Sequence, residues 1–331
     1  MAKVDHHPDL SKVNFRGPAL APLLLAAAGS AFGQETLFQK CVTIDDASDR
    51  LNCYDSASGR SQYVESTKAK ETQALLPYKW EQRLLADAAR APFTLEPYQP
   101  TYVVASYLSS FNHAPYDAFD PKNELSQYEV KLGFSLQTKL ADDLFGNNGD
   151  IWMSYTQTSY WQVFATDISS PFRETDYNPE MRLSILTTWD LFGMTLRTVD
   201  LGIRHDSNGQ ASTLSRSWNR VFANLQLTRG SLILEVRPWL AFGDLSDNPD
   251  IEDYYGHFDL RAAWEHDKQL FSITLRNPLD HRFGAELSWS TPISGRLRGL
   301  VQWYHGYGEN LIDYNHKNNR VSLGILLTDW L

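Results

Sequence analysis

His205 and Ser207 stand two residues apart in the segment Leu201-Gly202-Ile203-Arg204-His205-Asp206-Ser207-Asn208-Gly209. A serine hydroxyl becomes a good nucleophile only beside a base, and imidazole is the usual one. On a β-strand, residues two apart share a face. Val199, Leu201, Ile203, His205 and Ser207 then lie together, with Asp200, Gly202, Arg204 and Asp206 behind them. That parity rejects Asp206 as a third catalytic member. In the following segment Ser215, Ser217, Asn219, Val221, Ala223, Leu225 and Leu227 share one parity. Arg216, Trp218, Arg220, Asn224 and Gln226 share the other. A hairpin around 208–214 can bring Asn219 beside His205. The Asn219 carboxamide oxygen would accept one imidazole N–H and fix the tautomer. Ser207 would then attack an ester carbonyl while His205 takes its proton. His-x-Ser alone is a weak signal, so its meaning rests on the strands that carry it.

Those strands begin near Thr101, where segments of 10–14 residues start to alternate apolar and polar side chains. Turn clusters such as Gly146-Asn147-Asn148-Gly149, Asn208-Gly209 and Asp247-Asn248-Pro249-Asp250 separate them. Twelve candidates run at 100–109, 124–140, 150–165, 178–190, 193–207, 214–228, 231–243, 254–266, 269–279, 283–292, 295–307 and 318–331. Long strands in even number predict an all-β fold, a twelve-stranded antiparallel transmembrane β-barrel. A soluble sandwich would have strands nearer 5–6 residues. In the last strand Val321, Leu323, Ile325 and Leu327 share one face, and Ser322, Gly324 and Thr328 the other, with Leu326 the exception. If the apolar parity meets lipid, His205 and Ser207 sit on the outside of the barrel at the membrane boundary, a position suited to lipid chemistry. A soluble barrel would reverse the polarity.

The 331 residues carry a net charge of −10, 42% hydrophobic and 13% aromatic residues. The acidic balance argues against nucleic acid as a partner. No run reaches the roughly 18 apolar residues a spanning helix needs. A barrel needs none, because half of each strand faces a polar lumen. The block 19–28, preceded by Lys3, Lys12 and Arg16 and followed by Ala31 and Gly33, reads as a signal peptide over 1–33. The alternative is a buried N-terminal helix. A periplasmic segment over 34–95 is expected next, then the barrel over 96–331. Within the segment, Cys41 and Cys53 suggest one disulfide in an exported chain, with free thiols the alternative. An amphipathic helix is expected over 78–91, ending before Pro92.

The run His205-Asp206-Ser207-Asn208-Gly209, followed by Ser215-Arg216-Ser217-Trp218-Asn219-Arg220, resembles the signature of the Gram-negative outer membrane phospholipase A family. Ser169-Ser170-Pro171-Phe172-Arg173-Glu174-Thr175, Val236-Arg237-Pro238-Trp239, Gly306-Tyr307-Gly308-Glu309 and Leu311-Ile312-Asp313-Tyr314-Asn315 are similar to further blocks of that family. The resemblance runs from about Pro92 to the C-terminus. It implies a calcium-dependent acyl hydrolase acting on membrane phospholipids and lysophospholipids, located in the bacterial outer membrane. It also implies activity as a homodimer, with the site toward the outer leaflet. Carried over by motif, Ser207 is the nucleophile, His205 the base and Asn219 the orienting group. Calcium would be held by the Ser215 hydroxyl, the carbonyl of Gln210, waters, and the carbonyl of Ser169 of the partner subunit. Position 210 is often Arg in the family, and Gln210 retains the carbonyl but not that side chain. Gln157 shares parity with Ile151, Met153, Tyr155, Trp161 and Val163. An amide facing lipid is costly unless paired, and the family uses a glutamine there across the dimer interface.

The acidic run Asp247, Asp250, Glu252 and Asp253 could bind calcium, but reads more simply as a solvated loop. Two other functions compete with the enzyme. One is a passive porin-like channel, which needs an open lumen and no outward Ser, His and Asn. The other is a structural barrel whose N-terminal module binds a partner.

Overall fold

The computed structural model describes residues 40–58, 78–117, 122 and 124–329. The expected signal peptide and the C-terminal Trp330-Leu331 lie outside them. The chain divides into two compact units, Met1–Leu75 and Leu76–Leu331. In the first, Cys41 and Cys53 form the expected disulfide, with Cα atoms 5.5 Å apart. It ties a buried Cys41 to helix α1 (Ala47–Ala57). The second holds helix α2 (Lys79–Ala88) and the barrel.

Among the described residues thirteen strands pair in one antiparallel sheet. One is the two-residue piece Glu96–Pro97, which adds to Gln137 and Leu136. The other twelve close a barrel. They are β1 (Thr101–Leu108), β2 (Tyr128–Ala141), β3 (Asp150–Trp161), β4 (Phe172–Leu191), β5 (Met194–Ser207) and β6 (Ser217–Arg229), then β7 (Leu232–Phe242), β8 (Phe258–His266), β9 (Gln269–Arg276), β10 (Gly284–Ser294), β11 (Leu297–Gly306) and β12 (Asn318–Thr328). Each pairs with its successor, and β12 returns to β1, with Val321 opposite Tyr107 and Ile325 opposite Val103. Closure leaves no unpaired edge, which hydrocarbon could not solvate.

The expected alternation holds. On β12 Val321, Leu323, Ile325 and Leu327 are exposed on the outer wall, while Arg320 and Ser322 are buried in the lumen. Leu326, the exception, turns inward and packs with Val104 and Leu300. The twelve expected strands all form. The largest difference is β4, which starts at Phe172 instead of 178. Its first residues include Arg173, Glu174 and Asp176, a density of charge that resembles a loop. All three are buried, because the lumen supplies partners.

Glu129 is the hub of that lumen. Arg173 grips it with Nε at 2.6 Å and Nη2 at 3.0 Å, Arg320 Nη1 donates at 2.6 Å and Gln162 Nε2 at 2.8 Å. Arg173 also donates to Asp313 at 2.9 Å. One carboxylate thus ties β2, β4 and β12 together, and through Arg173 reaches the 307–317 loop.

The two ends of the barrel differ. One has tight turns at 192–193, 230–231, 267–268 and 295–296, with 142–149 the longer connection there. The other carries the loops 109–127, 162–171, 208–216, 243–257, 277–283 and 307–317. Helix α2 closes the turn end: Trp80 is buried against Ile233, Ala263 and Leu270, and its indole N–H donates to the Gly230 carbonyl at 3.0 Å. At the loop end Leu311 and Tyr314 pack on Trp218, Phe222, Trp239 and Tyr255. Between these plugs lies a polar cavity of ≈ 260 Å³ lined by Arg204, Asp206, Arg237, Arg276 and Glu286, among others. Charged side chains that pair across the lumen line that cavity.

Removing one partner of a buried charge network leaves the others uncompensated, at a cost of about 3–5 kcal/mol. Glu129→Ala strands Arg173 and Arg320 in this way. It is expected to lower the urea midpoint of the folded, heat-modifiable barrel in detergent micelles, whereas Glu252→Ala, which loses only a surface pair with His257, changes it little.

Candidate active site

β5 and β6 pair with His205 opposite Asn219, Asp206 opposite Trp218 and Ser207 opposite Ser217. The register is the one the parity argument needs. On the outer wall Leu201, Ile203 and Val221 are exposed, at 51%, 48% and 45%. His205 continues that face and is exposed, with Ser207 and Asn219 half-buried. Asp206 points the other way. It is buried in the lumen, where Arg220 donates to it at 2.7 Å and Asn178 and Arg204 complete its shell.

His205 Nδ1 lies 2.8 Å from Asn219 Oδ1. A carboxamide oxygen only accepts, so the proton sits on Nδ1 and Nε2 keeps a free lone pair. Ser207 stands one step further along the same face, about 7 Å in Cα position. Across the ladder from Ser207 lies Tyr177 of β4. The chain then turns sharply at Gly209, whose φ is +64°. A Cβ there would stand 3.0 Å from the Tyr177 ring, so both the left-handed backbone and the close ring favour glycine.

The remaining predicted residues lie on the loops of the same end. Gln210 and Ser215 belong to the 208–216 loop. Ser215 Oγ donates to Asp247 Oδ2 at 2.7 Å, and Ser217 Oγ approaches the same oxygen at 3.5 Å. Asp247 is exposed, as expected of a solvated loop, and is the one member of the acidic run 247–253 that touches Ser215. The signal for that contact was topological: β5, β6 and β7 are successive neighbours, so the 208–216 and 243–257 loops emerge side by side. Nearby, Arg216 stacks over Tyr314 at 5.9 Å and donates to the Ser215 carbonyl at 2.6 Å. The Tyr314 hydroxyl donates to Asp250. Burial, and then that carboxylate, push the phenol's pKa upward, so it stays protonated.

Ser169 lies apart, on the 162–171 loop in the left-handed region, with its N–H bonded to the Thr166 carbonyl at 3.1 Å. Gln157 sits on β3 facing outward, and it has partners in its own chain. Tyr155 Oη donates to its Oε1 at 2.8 Å and its Nε2 donates to Ser159 Oγ at 3.1 Å. One amide N–H is left over.

Fold and residues together define a class: an outer-membrane-type barrel with a serine, a histidine and an asparagine on the wall that meets lipid. Comparison with known proteins narrows it. The family model for Phospholipase A1 matches residues 76–327. Phospholipase A1 of Klebsiella pneumoniae is 38% identical over 239 residues, covering 72% of this chain and 84% of the relative. The crystal structure of Salmonella typhi outer membrane phospholipase, described as a dimer with bound calcium, superposes with a TM-score of 0.70 at 37% identity, over 72% of this chain and 94% of that one. Outer membrane phospholipase A from Escherichia coli gives 0.70 at 39% identity, over 72% and 100%. The chain belongs to the phospholipase A1 family. It is an ester-hydrolysing phospholipase of the bacterial outer membrane.

The His205–Asn219 bond fixes the imidazole, and general-base catalysis by such a group contributes about 10²–10⁴-fold. Asn219→Ala is expected to lose at least about tenfold of that in kcat with the folded barrel retained. Equal kcat in the folded variant would remove Asn219 from the site.

Proposed function

We propose that Ser207, His205 and Asn219 form the catalytic triad of this phospholipase, that calcium is its cofactor and that dimerisation activates it. One observation carries the reading: the 2.8 Å His205–Asn219 bond on the lipid-facing wall, one step from Ser207. Ser207 Oγ attacks the acyl carbonyl as its proton passes to His205 Nε2. The Asn219 oxygen holds the imidazolium that results. His205 returns the proton to the departing lysophospholipid oxygen, and water then cleaves the acyl-serine by the same route in reverse. Lysophospholipids present the same ester and follow the same path.

Short turns at one end and long loops at the other are the periplasmic and outer ends of bacterial barrels. That assignment sets the triad, at the loop end, against the outer leaflet.

Calcium takes oxygen ligands. The donors here are oxygens: the Ser215 hydroxyl and the Gln210 carbonyl, with the Asp247 carboxylate within 2.7 Å of Ser215 adding negative charge. Ser169 of the partner subunit would complete the set through its carbonyl. When bound, calcium stabilises the negative charge that develops on the carbonyl oxygen. A ligand from a second subunit makes the site incomplete in a monomer, which is how dimerisation would switch activity. The spare N–H of Gln157 is free to bond across the two-fold interface. The Salmonella relative, a dimer with bound calcium, supports this reading.

Ser207→Ala is expected to abolish fatty-acid release from phospholipid vesicles with the barrel still heat-modifiable, and unchanged release would end the triad assignment. Chelation should abolish activity and added calcium should restore it. Full activity in excess chelator would remove Ser215, Gln210 and Ser169 as ligands. Gln157→Ala should weaken calcium-promoted crosslinking of two chains, and equal crosslinking would exclude its interface role.

A further inference from the structure

The 208–216 loop that follows Ser207 has an internal brace. Asn208 is buried, 3% exposed, at the neck of the loop. Its backbone N–H donates to the Arg216 carbonyl at 3.0 Å, closing the neck. Its side chain does more. Oδ1 accepts from the N–H of Gln210 at 3.2 Å and from the N–H of Arg216 at 3.0 Å. Nδ2 donates to the Leu214 carbonyl at 2.8 Å and to Glu174 Oε2 at 3.3 Å. Two acceptor sites and two donors are the full capacity of a carboxamide, and all four are used.

The partners are as informative as their number. Gln210 and Leu214 flank the turn of the loop, and Arg216 follows Ser215. The brace therefore holds the Gln210 and Ser215 stretches in fixed relation across the loop. Glu174 anchors it outside. Its other oxygen accepts the Ile312 N–H at 3.0 Å, and Leu214 packs with Ile312, Tyr116 and Leu125. The loop is thereby referenced to the plug of the barrel and not to its own turn alone.

We propose that Asn208 is a positioning residue for cation binding: its side chain presets the spacing between the Gln210 carbonyl and the Ser215 hydroxyl before calcium arrives. The proposal rests on the calcium reading above. Groups that orient metal ligands without touching the metal typically change affinity about 10–100-fold when removed. Asn208 does not touch the reacting ester, so its loss acts on calcium binding first.

The test is a calcium titration of the full chain in detergent micelles by isothermal calorimetry, beside calcium-promoted crosslinking and fatty-acid release. The chains are the parent, Asn208→Ala and Asn208→Ser. Ser keeps one hydroxyl that can accept one of the two freed N–H groups, so it serves where Ala leaves the neck too bare to fold. The expected result is a rise in half-saturating calcium of about tenfold or more for Ala and a smaller rise for Ser, with kcat at saturating calcium changed less than about threefold. Crosslinking should need correspondingly more calcium. Unchanged half-saturation in a folded variant would overturn the role of Asn208 and leave the calcium reading intact. Failure of both variants to fold would assign Asn208 to the fold alone and overturn the proposal. Absence of saturable calcium binding by the parent would overturn the calcium reading, and this proposal with it.

Discussion

Hydrocarbon offers no hydrogen bonds, so a chain that crosses it in strands must pair every backbone group and close on itself. The rest of this structure follows from that constraint. Closure gives each strand a lipid side and a lumen side, and a one-residue slip exchanges them. In β5 such a slip would bury His205 and Ser207 and push Asp206 into lipid. The buried partners of Asp206, Arg220 and Asn178, act as a register lock on the opposite face of the strand. The chemistry on the wall and the ionic network in the lumen are two sides of the same ladder.

Much of this could be read from the chain. Alternation on β12 and β5 has period two and is local, so both the inside–outside assignment and the His205–Asn219 pairing were visible, as was the Cys41–Cys53 disulfide. Long-range partners were not. The start of β4 was missed because Arg173 and Glu174 look solvated until Glu129 and Asn208 are found beside them. Glu129 and Arg320 are separated by 191 residues, and no spacing rule links them. The Ser215–Asp247 contact is hidden for the same reason: Asp247 is solvent-facing, as its loop predicts, and only the fold places the loop that carries Ser215 next to it.

The lumen bears on function. Trp80 of α2 packs at its turn end, Leu311 and Tyr314 pack at its loop end, and buried ion pairs cross between them. In the proposed reading the interior supports the wall, and the activity belongs to the outer surface. The third group of the proposed triad fits that location. A carboxylate held against lipid is costly to desolvate, and a neutral carboxamide orients the imidazole without adding a charge. In the proposed triad Asn219 would trade some stabilisation of the imidazolium for compatibility with its surroundings.

With the proposed nucleophile on a wall and not in a water-filled cleft, the way substrate reaches it changes. Phospholipids would come to Ser207 by sliding sideways within the leaflet, so the encounter is two-dimensional. The quantity that governs turnover is the mole fraction of substrate in the surrounding lipid, not its molarity in the bulk. Diluting the surface with inert amphiphile slows such an enzyme at constant total substrate, while diluting the whole suspension with water leaves each embedded molecule in the same neighbourhood.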